Sequence, residues 1–358
     1  MIKKAKVLIV GAGNIGITIA KMLTSMNYYD VLLTDGDKNA LLNTELDGLI
    51  TQHLTIKDTS DLHDILKDKD YVINAGPYFL AYLIAQAAVL TNTHYLDLTE
   101  DVKQTEEIRT LDNGTLKTVV IPQCGLAPGA ISIIANHLAL KFDTVHDVKM
   151  RVGALPINPT NELKYNTTWS VDGLVNEYLH PCNAIKDGSY ISTEAMEGYE
   201  TFNLDGDRYE AFNTSGGLGT MCETWNGKVN NMNYKTVRYP GHHYLMKFLI
   251  KDMKLSEGQL KNMIIDAIPS TSQDVVLIFV EVTGIKNGKL ISKSITKKIY
   301  GTKEWSGIQL STATGICVML HAHQTGIIKQ SGFVEQETLS LDDFYKLDID
   351  HFGGNYAQ

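Results

Sequence analysis

The chain is poor in everything that marks a secreted, membrane-spanning or nucleic-acid-binding protein. Only four cysteines occur in 358 residues. Cys124, Cys182, Cys222 and Cys317 stand far apart and lack the paired spacing of metal ligands, so neither a disulfide framework nor a metal site is expected. No apolar run approaches the ~18 residues of a membrane span. Lysine and arginine form no dense cluster and the net charge is −9. A phosphate backbone needs a concentrated positive face, so a nucleic-acid partner is not expected, and nothing favours an anionic membrane surface. There is no internal repeat, no low-complexity segment and no linker rich in Pro, Gly and Ser. The start, Met1 to Lys6, is basic like a signal peptide, but the apolar run Val7 to Val10 is too short and feeds straight into glycines. A cytoplasmic protein is the expectation.

What is present reads as two globular domains. Apolar residues make up 44% and charged residues 20%, an ordinary balance, and the length exceeds what one core usually serves. Val7-Leu8-Ile9-Val10 is a wholly apolar strand of the kind buried on both faces of a parallel sheet. Apolar helical and strand segments then alternate: a helix after Asn14, a strand Asp30 to Asp35, and a strand near His53 to Ile56. A helix through Leu62 and Leu66 follows, then a strand Tyr71 to Asn74, a helix from about Leu80 to Thr91, and strands His94 to Leu98 and Thr118 to Ile121. This alternation predicts an α/β fold with a Rossmann-type doubly wound parallel sheet over residues 1–125. Beyond it the strands lengthen and alternate, as in His146 to Val152. Asp274 to Thr283 and Lys289 to Tyr300 flank Lys286-Asn287-Gly288, a hairpin signal. Residues 126–305 therefore read as an α+β domain with a mostly antiparallel sheet, and Thr312 to Thr325 as a buried helix.

The sharpest motif is Gly11-Ala12-Gly13-Asn14-Ile15-Gly16. A lone glycine triplet is weak evidence, but this one follows a buried strand and opens a helix. The first glycine permits the turn, the second lets the backbone approach a pyrophosphate, and the third packs helix on strand. The helix start supplies free N–H groups for the phosphate. Asp35 ends the second strand roughly 20 residues on, where an acid holds ribose hydroxyls and repels a 2′-phosphate. NAD is thus expected over NADP, since Gly36 and Asp37 supply no arginine. Two further strand ends should face the cofactor: Asp58-Thr59 on the adenine side, and Asn74-Ala75-Gly76 near the nicotinamide ribose. For each, an ordinary turn is the competing reading.

Several segments occur in the order seen in the saccharopine dehydrogenase-like family: Tyr71 to Ala75, His94 to Asp101, Cys124 to Gly129, Trp169 to Leu174, Gly216 to Leu218 and Lys235 to His242. The resemblance covers most of the chain, and the last segment looks most like that of the lysine 6-dehydrogenases. It implies a discontinuous Rossmann domain completed by helices within 306–358, a middle domain whose sheet pairs subunits into a homodimer, and oxidation of a CH–NH bond in a lysine-type amino acid. Lysine 6-dehydrogenases form the 6-semialdehyde and ammonia. Saccharopine or another carboxylated amine is the alternative substrate, and a non-catalytic NAD-binding protein the alternative of another class.

The residues fit amino-acid chemistry. Arg238, in an alternating strand segment, can grip an α-carboxylate through two parallel hydrogen bonds, and a structural ion pair is the competing reading. Gly125 to Gly129 reads as a helix start past the last Rossmann strand, a second carboxylate cradle, unless Pro128 is simply a first-turn proline. Oxidising an amine requires a neutral nitrogen and later an activated water. Asp97, at the end of the fifth strand, and His242 are the candidate bases, with Glu100 a second acid. His94 begins the fifth strand and points away from the crevice. Lys235 adds positive field near Arg238, and Tyr78, Trp169 and Tyr178 are candidate pocket walls, though such aromatics are more often core.

Overall fold

Val7, Leu8 and Ile9 have no solvent exposure, because the strand they form is flanked on both sides. A computed structural model describes residues 3–357 apart from Asn43 and residues 45–48. The chain folds into two compact units, one of residues 1–130 and 311–358, the other of residues 131–310.

In the first unit, β1 (Ala5–Val10), β2 (Tyr29–Asp35), β3 (Ile50–His53), β4 (Tyr71–Asn74), β5 (His94–Asp97) and β6 (Val119–Ile121) form a parallel sheet with the late strand Gly332–Phe333. The order is Gly332–Phe333, β6, β5, β4, β1, β2, β3. The direction of winding reverses at β1, and a ligand crevice forms outside the carboxyl ends at such a point. The helix Ala81–Thr91 packs Ala81, Ile84, Ala85 and Ala88 against Leu8, Val72 and Tyr95. Its alanines permit close approach, and Asn92 ends it in the left-handed conformation (φ 55°), which Asn tolerates. The helix Gly307–Gln324 lies equally close to residues 124–125: a Cβ on Gly315 would fall 2.5 Å from the Gly125 carbonyl oxygen.

Two expectations shift. The third strand is Ile50–His53 rather than 53–56, and all four residues are exposed because it is the sheet edge. Its ladder ends at Asp35 opposite His53, where β2 itself stops. Gly125 to Gly129 is a turn closed by a Gly125–Gly129 bridge, and the helix begins only at Ala130. Pro128 is therefore not a first-turn helix proline.

The second unit holds β7 (Thr144–Pro156), β8 (Cys182–Lys186), β9 (Ser189–Thr193), β10 (Glu200–Leu204), β11 (Asp207–Phe212), β12 (Val229–Arg238), β13 (Asp274–Lys286) and β14 (Lys289–Tyr300). The main order is β10, β11, β12, β7, β13, β14, and β8 joins β9 to β12. Pairings are antiparallel except β12 with β7. Asn287 (φ 51°) and Gly288 (φ 73°) turn the β13–β14 hairpin, both in the left-handed region that a type I′ turn requires. Tyr165, Leu174, Tyr178, Phe212, Met246, Leu260 and Ile264 form a core cluster on which Trp169 packs half-buried. Gly217 lies against the Tyr234 ring so closely that a Cβ would sit 2.3 Å from it.

Candidate functional site

The glycine-rich loop of the first unit is built by contacts that no side chain would allow. Gly11 has φ +107°, and a Cβ there would lie 2.6 Å from the Gly76 nitrogen; a Cβ on Gly16 would lie 1.9 Å from the Gly11 carbonyl oxygen. Gly13, the N-cap of the helix Asn14–Ser25, differs: a Cβ there would meet nothing within 4 Å. Two glycines close the turn and the third faces open space, as a loop laid against a pyrophosphate requires. Asn14 and Ile15 form the first turn of that helix.

Asp35 supports the loop directly. One of its oxygens accepts from the Ala12 amide at 2.7 Å, and the other from the Asp37 amide at 2.7 Å. On the far side of β1, Asn74 is buried and its Oδ1 accepts from the Gly76 amide at 3.0 Å, while the Ala75 amide donates to Val10 at 2.8 Å. The glycine loop, Asp35 and Asn74 to Gly76 thus form one continuous rim. Asp58 is exposed and its carboxylate accepts from the Ser60 amide at 2.8 Å, the geometry of an Asx turn. Tyr78 opens the short helix Tyr78–Leu80, its ring edge-on to Phe79 at 5.9 Å.

Asp97 is wholly buried. Its Oδ2 accepts from the Tyr95 hydroxyl at 2.7 Å, and its Oδ1 from the amides of Gln123 at 2.7 Å and Thr99 at 3.1 Å. Burial pushes its carboxyl up to about 6, against the pull of these three donors. A carboxylate so engaged ties the end of β5 to the turn after β6. Glu100, on the turn that Asp97 holds, is half-buried. His94 stands at the opposite end of β5, its Nδ1 accepting from the Val119 amide at 3.0 Å.

In the second unit the structure brings Arg238, His242 and Trp169 into one neighbourhood and adds Tyr178 and Tyr165. Arg238 ends β12 and is 2% exposed. Its Nε donates to the Tyr178 hydroxyl at 3.0 Å and its Nη1 to the Val237 carbonyl at 2.8 Å, and its guanidinium lies 5.0 Å from the Tyr165 ring centroid. A guanidinium has five N–H donors and a full charge. Among the described residues no carboxylate forms a direct ion pair with it, though the buried carboxylate of Glu177 favours its charge at longer range. Glu210, directly opposite in the β11–β12 ladder, is committed elsewhere: its oxygens accept from the amides of Gly241 at 2.9 Å and His243 at 2.5 Å.

His242 is 1% exposed, and burial, reinforced by Arg238, pushes it down to about 3. It is therefore neutral, and its bonding fixes the tautomer. The Leu163 carbonyl can only accept, so Nδ1–H donates to it at 2.9 Å; Nε2 is then bare and accepts from Tyr178 at 3.0 Å. The Tyr178 oxygen, its proton spent on His242, is left to accept from Arg238. Burial raises the Tyr178 phenol well above its usual value and keeps that proton in place. The set is a directed relay that orients Arg238. Lys235 does not join it. Three positions away on an alternating strand, it pairs with Glu200 at 2.6 Å, and Arg151 binds the same carboxylate at 2.5 Å. Tyr165 and Glu210 went unread in the sequence. No local pattern marks either, since each acts on residues distant along the chain.

Comparison with known proteins agrees with this architecture. The family model for the saccharopine dehydrogenase NADP binding domain matches residues 7–118, and that for the saccharopine dehydrogenase C-terminal domain matches residues 125–351. The mitochondrial alpha-aminoadipic semialdehyde synthase of Rattus norvegicus is 24% identical over 228 residues, covering 58% of this chain and 24% of that protein. That of Bos taurus is 20% identical over 334 residues, covering 85% and 35%. The chain thus matches only a minor part of these relatives' length. Among solved structures, apo saccharopine dehydrogenase (L-Glu forming) from Saccharomyces cerevisiae superposes with a TM-score of 0.79 at 16% identity, covering 98% of each chain. At that identity the likeness speaks for the fold. No helix among the described residues is long and apolar enough to cross a membrane. With both models placed in sequence order over most of its length, the chain belongs to the saccharopine dehydrogenase family of oxidoreductases.

Proposed function

We propose that this chain is an NAD-dependent dehydrogenase that oxidises the side-chain CH–NH2 of a lysine-type amino acid, giving the 6-semialdehyde and ammonia. The observation that carries the reading is Arg238: a buried, oriented guanidinium with donors to spare and no carboxylate in direct contact, Glu177 acting on it only at longer range. Such a group is costly unless an anion completes it, and an α-carboxylate matches its planar fork. Trp169, half-buried on the same cluster of the second unit, is the proposed companion contact.

When bound, the nicotinamide accepts the hydride. The fit of the loop to a dinucleotide rests on Gly13, open where a Cβ would stand, and on the rim formed by Asp35 and Asn74 to Gly76. The family model over this segment is described as NADP-binding. We propose the opposite preference here, because a carboxylate at Asp35 repels a 2′-phosphate and no arginine precedes Arg109. Of the two candidate bases, Asp97 has its oxygens occupied and His242 holds too weak an affinity for a proton near neutral pH. We assign both to positioning, and the proton of the substrate amine to Glu100, the half-buried carboxylate on the turn that Asp97 fixes.

Saccharopine is the second reading, favoured by the likeness in fold to a saccharopine dehydrogenase. It carries more carboxylates and needs more cations. The other buried arginine of the second unit, Arg151, shares Glu200 with Lys235, and Lys298 pairs with Asp205 at 3.0 Å. One buried guanidinium with unclaimed donors suits one carboxylate, which favours lysine. A homodimer acting in the cytoplasm completes the proposal, on the family resemblance and the free state of all four cysteines. The test is the absorbance of reduced cofactor formed from NAD or NADP with L-lysine, saccharopine and other amino acids. Turnover of lysine with NAD is expected; turnover of saccharopine alone would replace the substrate, and NAD binding without turnover of any amine would leave a binding protein.

A further inference from the structure

Gln123 follows β6 and holds two unfavourable states at once. Its backbone lies in the left-handed region (φ 65°), where a side chain is strained. It is 2% exposed, and its buried Oε1 has no hydrogen-bond partner. Turning the amide over only exchanges the stranded oxygen for a stranded nitrogen. The backbone cannot relax, because its amide is held by Asp97 at 2.7 Å and the Pro122 carbonyl before it accepts from the buried amide of Gln336. A buried acceptor fixed in place without a donor calls for a donor from outside the chain.

Its position says which donor. Asp35 and the glycine loop place the adenosine and pyrophosphate over β2 and β1 in the proposed binding mode, so the remaining half of a dinucleotide runs over β4, β5 and β6. Asn74 ends β4, Asp97 ends β5, and Gln123 follows β6. We propose that Gln123 is a binding residue for the nicotinamide carboxamide, its Oε1 accepting a hydrogen bond from the amide NH2. This rests on the dinucleotide reading given above. The strain and the stranded oxygen are then features of a site shaped in advance for that group.

The experiment is equilibrium binding of ADP-ribose, oxidised dinucleotide and its 3-acetylpyridine analogue, which carries a methyl ketone in place of the carboxamide, to wild type, Gln123→Asn and Gln123→Gly. Asn tolerates the left-handed backbone but is one methylene short; Gly removes both strain and amide. Wild type should bind the carboxamide form about tenfold more tightly than the ketone, the worth of roughly one hydrogen bond. In both variants that ratio should fall to within about twofold, with ADP-ribose affinity unchanged and, for Gly, a melting temperature at or above that of wild type. A wild-type ratio that survives in variants still binding ADP-ribose overturns the proposal. Absence of ADP-ribose binding in wild type overturns the dinucleotide reading beneath it as well.

Discussion

Asp97→Asn separates an anchoring carboxylate from a catalytic one. Burial holds the folded carboxyl at about 6 against 3.8 for an ordinary aspartate. The neutral form is thus favoured in the folded state, and the sign follows: the stabilising contribution is full below about pH 4 and is lost as pH rises through about 6. Two units and a little more, at about 1.4 kcal/mol each, come to roughly 3 kcal/mol. Asparagine has no such titration. It keeps an oxygen for the Gln123 and Thr99 amides, but its NH2 cannot accept from Tyr95, whose hydroxyl also has the Ala81 carbonyl at 3.0 Å. That exchange costs about 1 kcal/mol. The variant should therefore be slightly less stable than wild type at pH 4 and about 2 kcal/mol more stable at pH 7.5. Calorimetry and circular dichroism are the assays, because Trp169, Trp225 and Trp305 all lie in the second unit and do not report on this one. If the difference between variant and wild type moves by less than about 1 kcal/mol across that range, the carboxylate is ionised without cost and the anchoring argument fails. Turnover gives the companion result: within about tenfold of wild type for Asp97→Asn, and down about 100-fold for Glu100→Gln.

Arg238→Lys keeps the charge and loses the fork, and Arg238→Met loses both; each should lower kcat/KM for L-lysine by roughly 30- to 1000-fold while barely changing it for 1,5-diaminopentane, which has no carboxylate. Equal losses on both amines in a variant that still folds would make the arginine structural. Asp35→Ser with Gly36→Arg should shift the ratio of NADP to NAD affinity upward by about tenfold or more, with some loss for both because Ala12 loses its acceptor; a wild type that already prefers NADP several-fold would refute the role given to Asp35. Gly217→Ala forces a methyl into the Tyr234 ring and should destabilise the second unit by roughly 1–3 kcal/mol in denaturation followed by tryptophan fluorescence, with an unchanged midpoint counting against that packing.

The parts of the fold legible in the sequence are those whose cause is local. The glycine loop, its flanking strand and Asp35 lie within one short stretch, and each glycine answers a steric demand of its near neighbours. The hairpin at Asn287-Gly288 was likewise legible, because two adjacent residues must both enter the left-handed region. The third strand was misplaced by a few residues because its end is set by where β2 stops, a fact of pairing rather than of pattern. The turn at Gly125 to Gly129 resembles a helix start until the Gly125–Gly129 bridge is seen to close it first.

Charge is where local reading ran out, and Asp97 and Arg238 show why. Both sit at strand ends and both are buried, so residue type and position alone make each a candidate for chemistry. What separates them is how the charge is met. Asp97 receives three donors, one of them from Gln123, 26 positions along the chain. Both its oxygens are engaged and it holds two turns together. Arg238 meets a phenol 60 positions away and a backbone carbonyl, both neutral, while the carboxylate opposite it serves a backbone turn instead. Its charge is met only at longer range, by the buried Glu177 carboxylate, and its remaining donors stay unclaimed. A buried charge whose oxygens or N–H groups are met within the fold serves as scaffold, whereas one oriented with donors left over has a free energy that a ligand can lower. By that criterion Arg238 is the group proposed to receive a carboxylate, and the hydrogen bonds from Leu163 through His242 and Tyr178 hold its guanidinium in place.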